Sequence, residues 1–367
     1  MAAFKYVMTM PSVDIGGSIA IDDLVLIGSR DSRYRELQAE NPVMSQYLRA
    51  FRSPDGTLVH PSVVIRDAGL PKVHTQRLCR FRNAIAVSSV LHSRMQHYMR
   101  DELFGSGAYC TDLFDFYPIS VDFDGTDLIG QTVFERSGWM PVDGFAGCTV
   151  PSVIHPQHVR VVFDQWLMIW LLNLLDMRAR RRTDVEFVNR VFRSLELACH
   201  ALRAPAVNLQ APGDFGAALF FWVSAFETLA HPGTGDVNRE RVNLLITGVP
   251  WRRSNLRRRA YVDVTRRGRH RKATTKVSLP VQIYARLYYN RNKYAHGNPV
   301  PKGQFEFVHR KDWGKLWFQV PVLYRCTLCH VLATKGAKAR PTDSDHLHDA
   351  YELALLKRSR SRGSVKR

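Results

Sequence analysis

The pattern of hydrophobic and polar positions changes near residue 155. Up to that point, short runs of β-branched and aromatic residues are broken by Gly, Asp and Pro, as in residues 18–27 and 112–121. Asp124-Gly125, which follows the second run, is typical of a β-hairpin turn. Residues 80–99 fit a single helix. The pattern therefore predicts a mixed, mostly β N-terminal domain over residues 1–155.

Beyond residue 155 the apolar positions recur at helical spacing. Six helices are predicted, over residues 158–177, 184–202, 215–229, 278–296, 316–335 and 345–357. The third is apolar nearly all round and should be central. The fourth has Ser278 as a capping residue and Pro280 in its first turn. We predict an α+β protein, with an all-α domain over residues 156–358 and a basic tail over residues 359–367.

The amino-acid composition of the chain indicates a polyanionic binding partner. The chain has 367 residues, and 52 Lys and Arg outnumber 33 Asp and Glu to give a formal charge of +19. Such an excess favours nucleic acid or another acidic surface. The most apolar run, residues 166–175, is too short to span a bilayer. Six scattered cysteines suit a reducing compartment. We expect a cytoplasmic protein without a secretory signal or membrane partner.

The cations are concentrated in one segment, residues 251–272. The segment contains a single acid, Asp263, and two aromatic residues, Trp251 and Tyr261, that could stack on bases. A charged run of this kind is either a solvated loop or a phosphate-binding surface. The ten candidate phosphate-binding residues are Arg252, Arg253, Arg257, Arg258, Arg259, Arg266, Arg267, Arg269, Arg271 and Lys272.

A second basic feature lies at the end of the fourth predicted helix. Arg291 continues the apolar stripe of Tyr284 and Tyr288, so we expect it to be partly buried. A buried guanidinium needs a partner. The third predicted helix carries one acid, Glu227, and the simplest pairing joins Glu227 to Arg291.

His296 closes the fourth predicted helix, and Gly297 is placed for a left-handed C-terminal cap. An arginine binds phosphate through two hydrogen bonds, and a histidine can act as a general acid or base. Asn292 adds an orienting amide. No carboxylate cluster for Mg²⁺ accompanies them, so metal-free RNA cleavage by the 2′-OH is the simplest reaction. The alternative is that Arg291 and His296 form only a surface ion pair and a helix cap.

At this point the chain resembles a known family. Residues 291–297, Arg-Asn-Lys-Tyr-Ala-His-Gly, resemble the Arg-x4-6-His signature of HEPN domains. Residues 220–229 resemble the aromatic-then-Glu helix of the ApeA-like HEPN branch. The resemblance covers residues 156–358. Residues 251–272 depart from a compact HEPN bundle, which leaves the route of substrate entry open.

The HEPN resemblance implies a helical bundle that forms a homodimer and builds one composite site from two Arg-His pairs. It implies a metal-independent endoribonuclease, a hydrolase without a cofactor that acts on RNA, often in prokaryotic anti-phage defence or toxin–antitoxin systems. Arg291 and His296 are then catalytic with Asn292 beside them, and Glu227 and Tyr294 support them. The N-terminal domain would sense an unidentified trigger. The rival interpretation is a non-catalytic RNA-binding or dimerisation module.

Cys326-x-x-Cys329-His330 matches the attachment pattern of c-type haem. The segment lies in an apolar helical stretch with no export signal ahead of it. We expect two buried thiols one helical turn apart and no cofactor.

Overall fold

The structure is a computed structural model that describes residues 4–69, 73–100, 107–122, 126–131, 136–149, 161–179, 184–203, 212–267, 271–298, 316–334 and 344–357. The chain divides into two compact units. Unit 1 comprises residues 1–90 and 106–183, and unit 2 comprises residues 91–105 and 184–367. Strands dominate early and helices late, so the mixed α+β class is confirmed.

The described part of unit 1 contains short strands in three groups. They are β1 (Phe4–Met10), β2 (Ser18–Ile21), β3 (Leu24–Ile27), β4 (Phe51–Arg52), β5 (Ser62–Asp67), β6 (Ile119–Val121), β7 (Leu128–Gln131), β8 (Arg136–Met140) and β9 (Gly147–Cys148). An antiparallel sheet has the order β1-β5-β3-β2, and β6-β7-β8 form a meander. The short strands β4 and β9 pair in parallel.

Helices also belong to this unit. They are α1 (Ser32–Glu40), α2 (Pro42–Arg49), α3 (Thr75–Arg100) and α4 (Gln165–Ala179). Helix α3 matches the helix predicted over residues 80–99 but begins five residues earlier. Its residues from Leu91 onward belong to unit 2. Helices α1 and α2 were not predicted, although Asp31 and Asn41 cap them through side-chain oxygens.

Arg77 explains why α4 belongs to unit 1. From α3 it forms ion pairs with Asp23, in the β2–β3 turn, at 2.7 Å and with Asp176, in α4, at 3.5 Å. Its guanidinium also donates to the main-chain oxygen of Leu175 at 3.1 Å. The predicted domain boundary at residue 155 therefore lies within unit 1. The ion pairs and hydrogen bond of Arg77 attach the first predicted helix to the strands that precede it in the sequence.

Unit 2 is mostly helical. Its described helices are α5 (Val185–Ala201), α6 (Pro212–Ala230), α7 (Arg239–Gly248), α8 (Ser254–Arg257), α9 (Leu279–Ala295), α10 (Leu316–Thr334) and α11 (Ser344–Leu356). The last five predicted helices correspond to α5, α6, α9, α10 and α11 within a few residues. Helices α7 and α8 were not predicted.

The prediction of an all-α second domain was wrong, because unit 2 contains a β-hairpin. Strand β10 (Tyr261–Arg267) pairs with β11 (Arg271–Val277) in antiparallel register, from Tyr261 opposite Val277 to Arg267 opposite Arg271. Both strands carry the β-branched residues that favour a sheet. The density of cations in the same segment masked this signal in the sequence.

Helix α6 is central to unit 2, as predicted. It packs against α5, α7, α9 and α10. Its Trp222 and Phe226 rings lie 5.3 and 5.5 Å from the ring of Tyr324 on α10. The hydroxyl of Ser194 on α5 donates to the main-chain oxygen of Ala225 at 2.7 Å. The position of α6 matters because it carries Glu227.

Among the described residues, helix α10 alone has the length and composition to cross a membrane. Within the protein, 78% of its apolar window is buried, as in the core helix of a globular unit. Cys326 and Cys329 on this helix are 1% and 2% exposed. They are therefore two buried thiols one turn apart, as expected, and none of the six cysteines forms a disulfide.

Candidate active site at the end of helix α9

The C-terminus of α9 has a well-defined cap. Gly297 has φ +67°, which is the left-handed conformation that glycine adopts without strain. Its N–H donates to the oxygen of Tyr294 at 3.1 Å, and the N–H of Asn298 donates to the oxygen of Lys293 at 2.9 Å. These two bonds form a Schellman motif. The predicted glycine cap is confirmed, and it fixes the backbone of the residue before it, His296.

The beginning of α9 matches the prediction only in part. Ser278 occupies the N-cap position and Pro280 lies in the first turn, but the Ser278 side chain makes no capping hydrogen bond. The helix therefore depends on packing of its apolar residues, such as Ile283 and Leu287, rather than on a cap at this end.

Arg291 pairs with Glu227, as the sequence predicts. The Nη2 atom of Arg291 donates to Oε1 of Glu227 at 3.1 Å. The two side chains are 22% and 24% exposed. The pair is thus partly buried between α6 and α9, and solvent still reaches the guanidinium.

Aromatic rings hold the same guanidinium from other directions. Its Cζ atom lies 4.9 Å from the ring centroid of Tyr288 and 5.9 Å from that of Phe220. Both distances are within the range of cation–π attraction. Phe220 in turn contacts the ring of Tyr294 edge-on, at 6.1 Å between centroids. One ion pair and two rings therefore restrict the orientation of Arg291.

The ring of Tyr294 packs directly against the backbone of α6. A Cβ atom added at Gly216 would lie 2.0–2.3 Å from three carbons of the Tyr294 ring. A residue with any side chain at position 216 would therefore displace the ring. Sequence reasoning did not find Gly216, because its importance depends on a helix that follows some 60 residues later.

The environment of Glu227 is desolvated. Burial raises the pKa of the Glu227 carboxyl above its ordinary value, and the neighbouring charge of Arg291 only partly opposes this. Tyr284 lies in the same region, where burial and then the charge of Glu227 raise the pKa of its hydroxyl. Glu227 therefore depends on the neighbouring positive charge of Arg291 to stay ionised. The orientation of the guanidinium and the charge of Glu227 are coupled for this reason.

A second arginine connects α7 and the hairpin to this cluster. The Cζ atom of Arg239 lies 5.9 Å from the ring of Tyr288. Arg239 also forms an ion pair with Asp263 on β10, which is 8% exposed. The single acid of the basic segment therefore anchors the hairpin to α7.

His296 stands apart from the Arg291 cluster within one chain. It is exposed at the C-cap of α9. It lies five positions after Arg291, which on an ideal helix is about 7.5 Å along the axis and about 140° around it. Asn292 is half-buried, and its main-chain oxygen accepts the His296 N–H at 3.1 Å. The structure thus brings Arg291, Glu227 and Tyr294 together, while His296 faces solvent.

Two of the predicted phosphate-binding residues form ion pairs with acids on another helix of unit 2. Arg252 forms an ion pair with Asp345, and Arg253 lies 3.7 Å from a carboxylate oxygen of Asp349, both on α11. The main-chain N–H groups of the same two arginines donate to the buried carboxylate of Glu352 at 2.8 and 2.9 Å. The beginning of the basic segment is therefore a fixed connection rather than a solvated loop.

The expected stacking role of Trp251 is wrong. Its side chain is 5% exposed, and its indole N–H donates to the main-chain oxygen of Ile246 at 3.1 Å. Both faces of a ring this deeply buried are covered by protein. Trp251 therefore packs the α7–α8 connection, and Tyr261 at the start of β10 is half-buried.

The remaining candidate cations differ in how far the structure describes them. Arg257, Arg258 and Arg259 are exposed, and within the described ranges no carboxylate forms an ion pair with them. Arg269 lies outside the described residues, as do the side chains of the strand residues Arg266, Arg267, Arg271 and Lys272.

In the part of the chain that the structure describes, no group of three or more His, Cys, Asp and Glu residues is placed to hold a metal ion.

No protein-family model, curated protein or solved structure matches this chain.

Proposed function

We propose that this protein is a metal-independent endoribonuclease of the HEPN type, in which Arg291 holds the scissile phosphate and His296 transfers a proton. One observation carries the proposal. A solvent-accessible guanidinium is fixed by Glu227 and Tyr288 at the end of a helix, and the Schellman cap fixes the backbone of a histidine five positions later.

Arg291 has the capacity to bind a phosphate while it stays paired. A guanidinium carries five N–H donors, and one hydrogen bond joins Arg291 to Glu227. The remaining donors can make the two parallel bonds that arginine forms with phosphate oxygens. Because Glu227 and the rings restrict the side chain, phosphate binding would require little loss of conformational freedom.

The reaction that fits these groups begins at the ribose. The 2′-OH attacks the adjacent phosphorus and gives its proton to a histidine acting as general base. The bond from phosphorus to the 5′-oxygen breaks, and that oxygen takes a proton from a general acid. The products are a 2′,3′-cyclic phosphate and a 5′-OH. Arg291 stabilises the charge that develops on the phosphate oxygens.

Two copies of the chain supply the acid and the base together. In a single chain, His296 and Arg291 are offset by about 7.5 Å and about 140° on an ideal helix. His296 is exposed, and the neighbouring rings of Tyr289 and Tyr294 are 48% and 36% exposed. A second copy packed on this surface would place its own histidine opposite the first and cover the rings.

The setting follows from the same resemblance. HEPN ribonucleases often act in prokaryotic anti-phage defence or toxin–antitoxin systems, where cleavage is held back until a signal arrives. We infer a cytoplasmic enzyme in which unit 1 receives that signal. The rival function, a non-catalytic RNA-binding or dimerisation module, would use the same cations without cleavage.

Product chemistry separates these alternatives. Purified protein is incubated in EDTA with an oligoribonucleotide, and the ends of the products are identified by mass spectrometry. The proposal predicts 2′,3′-cyclic phosphate ends, and no cleavage at a position that carries a single 2′-deoxy substitution. Products with 3′-OH ends, or cleavage that appears only with added Mg²⁺, would contradict the mechanism. Tight binding with no cleavage would favour the rival function.

A further inference from the structure

A groove of about 800 Å³ lies in unit 2 between α7, α8, the β10–β11 hairpin and the beginning of α9. It is separate from the Arg291 cluster, which lies toward the other end of α9. The walls of the groove combine exposed apolar surface with unpaired cations, a combination that fits a ligand with both apolar faces and negative charge.

The floor and one wall of the groove are apolar. Val249, Leu256 and Val281 line it from the protein core, where they are nearly fully buried. Leu244 stands on the α7 wall with 71% of its surface exposed. A leucine this exposed beside an apolar floor offers apolar surface that a nucleobase could cover.

The rim of the groove is cationic. Arg257, Arg259 and Lys276 are exposed lining residues, and within the described part of the chain no carboxylate forms an ion pair with them. Arg252 also lines the groove but is paired with Asp345. Glu240 on α7 is the acid in the lining, so three unpaired cations face one carboxylate.

The cations are presented by a rigid scaffold. Leu256 on α8 is fully buried. The carboxylate of Glu352 binds the two main-chain N–H groups just before α8. Binding to residues that are already held in place loses less conformational entropy than binding to a mobile loop.

Helix α9 runs from the groove to the candidate active site, so the rise per residue of the helix gives the distance between them. Val281 lies ten residues before Arg291 and fifteen before His296, or about 15 and about 22 Å along the helix axis. A stacked strand advances about 3.4 Å per phosphate, so about four to seven nucleotides separate the groove from Arg291 and His296. Helix α7 connects them, since it lines the groove and its Arg239 contacts the Tyr288 ring that holds Arg291.

We propose that this groove binds single-stranded RNA about four to seven nucleotides from the cleaved phosphate. A base lies against Leu244, and Arg257, Arg259 and Lys276 hold the backbone. The inference rests on the proposed function, because it identifies where that enzyme holds its substrate. An acidic peptide would satisfy the cations, but neither the exposed side chain of Leu244 nor the distance to Arg291 would have a role.

Binding to an RNA that cannot be cut tests the groove independently of catalysis. A labelled twelve-nucleotide strand with 2′-O-methyl groups is titrated into wild-type protein, R257Q/R259Q, L244S and the matched control R193Q/R241Q. The control removes two exposed cations of unit 2 that do not line the groove. Thermal unfolding of each variant shows whether its fold is preserved.

The proposal predicts that R257Q/R259Q binds the strand at least tenfold more weakly than the control. Each cation that neutralises a phosphate of a single strand adds about 0.7 to the slope of log affinity against log salt, so removing two should lower that slope by about 1.4. L244S should weaken binding several-fold without changing the slope.

Equal affinity of R257Q/R259Q and its control for the strand would overturn the groove proposal. The proposal would also fail if polyglutamate displaced the labelled RNA as readily as unlabelled RNA does. These outcomes do not depend on cleavage. If groove variants lose binding but the wild-type protein never cuts RNA, the proposed function fails and the RNA groove stands. If cleavage occurs and the groove variants bind normally, the enzyme stands without this groove.

Discussion

At the scale of single residues, the Glu227–Arg291 pair could be predicted because the sequence leaves few choices. The guanidinium continues an apolar stripe, and the helix predicted over residues 215–229 contains one acid, Glu227. The rings that restrict Arg291 were harder to predict. Phe220 and Tyr288 are aromatic residues in apolar helices, where packing into the core would explain them equally well, and only their distances to Arg291 distinguish the two roles.

The raised pKa of Glu227 gives a pH-dependent prediction. Below the ordinary glutamate pKa of about 4.3, the carboxyl is neutral in both folded and unfolded states. As pH rises through the higher folded pKa, the buried group becomes charged and the stability present at low pH is lost. The free energy of unfolding of Glu227→Gln, relative to wild type, should therefore increase with pH across this window.

Denaturant titrations between pH 4 and pH 7 measure this difference. Arg291→Ala, which removes the charge that opposes the shift, should make the loss of stability with pH larger than in the wild type. A relative stability of Glu227→Gln that decreases with pH would mean that the ion pair lowers the folded pKa of Glu227 below that of the unfolded chain.

Gly216 allows the position of Tyr294 to be tested separately from stability. In Gly216→Ala the new methyl group must displace the Tyr294 ring, whereas alanine improves helix propensity by up to about 1 kcal/mol. Because the ring lies at the surface and can move, we expect a stability change within about 1 kcal/mol and a clear loss of RNA cleavage.

A double-mutant cycle with Tyr294→Ala provides the control. Once the ring is absent, the added methyl group has nothing to displace, so Gly216→Ala should change the cleavage rate little further. Additive effects of the two substitutions would show that Gly216 does not act through Tyr294.

At the scale of elements, the end of α9 was predictable to within one residue, since Gly297 followed by Asn298-Pro299 is a strong stop signal. Gly297→Ala forces a side chain into the left-handed conformation, at a cost of about 1–2 kcal/mol. It should also loosen His296 and lower cleavage. Gly297→Asn should be milder in both respects, because asparagine tolerates this conformation. Equal effects of the two substitutions in unfolding experiments would contradict this reason.

The basic segment shows why charge alone is a poor guide to an element. Its cations indicated either a loop or a phosphate-binding surface, and the structure divides it instead into a connection, a short helix and a hairpin. Glu352 and Asp345, which fix the connection, follow about 100 residues later in the sequence. Nothing in the local pattern of residues 251–272 identifies these partners.

At the scale of the whole molecule, the α+β class followed from the shift in hydrophobic spacing, whereas the boundary between units did not. Helix α4 has the apolar pattern of the helices that follow it, yet Arg77 attaches it to the strands of unit 1. The decisive contact joins residues 99 positions apart. A change of periodicity locates a change of architecture but not the surface on which each helix packs.

A composite site requires two copies of the chain, which makes activity depend on protein concentration. Specific activity should fall on dilution below the dissociation constant of the dimer, and sedimentation velocity should show the monomer over the same range. Tyr289→Glu, which adds a charge to the exposed aromatic surface, should shift both transitions to higher concentration. A monomer that retains full specific activity would exclude the two-copy site.

The most direct measurement of the catalytic assignment is the cleavage rate of His296→Ala in EDTA, compared with His346→Ala. Both histidines are exposed at helix ends in unit 2, so each substitution should leave the circular dichroism spectrum and the thermal unfolding unchanged. General acid–base catalysis typically contributes about 10²–10⁴-fold. We predict that His296→Ala loses at least about 100-fold in rate and that His346→Ala cleaves at the wild-type rate. A folded His296→Ala protein that cleaves RNA as fast as the wild type would contradict the assignment.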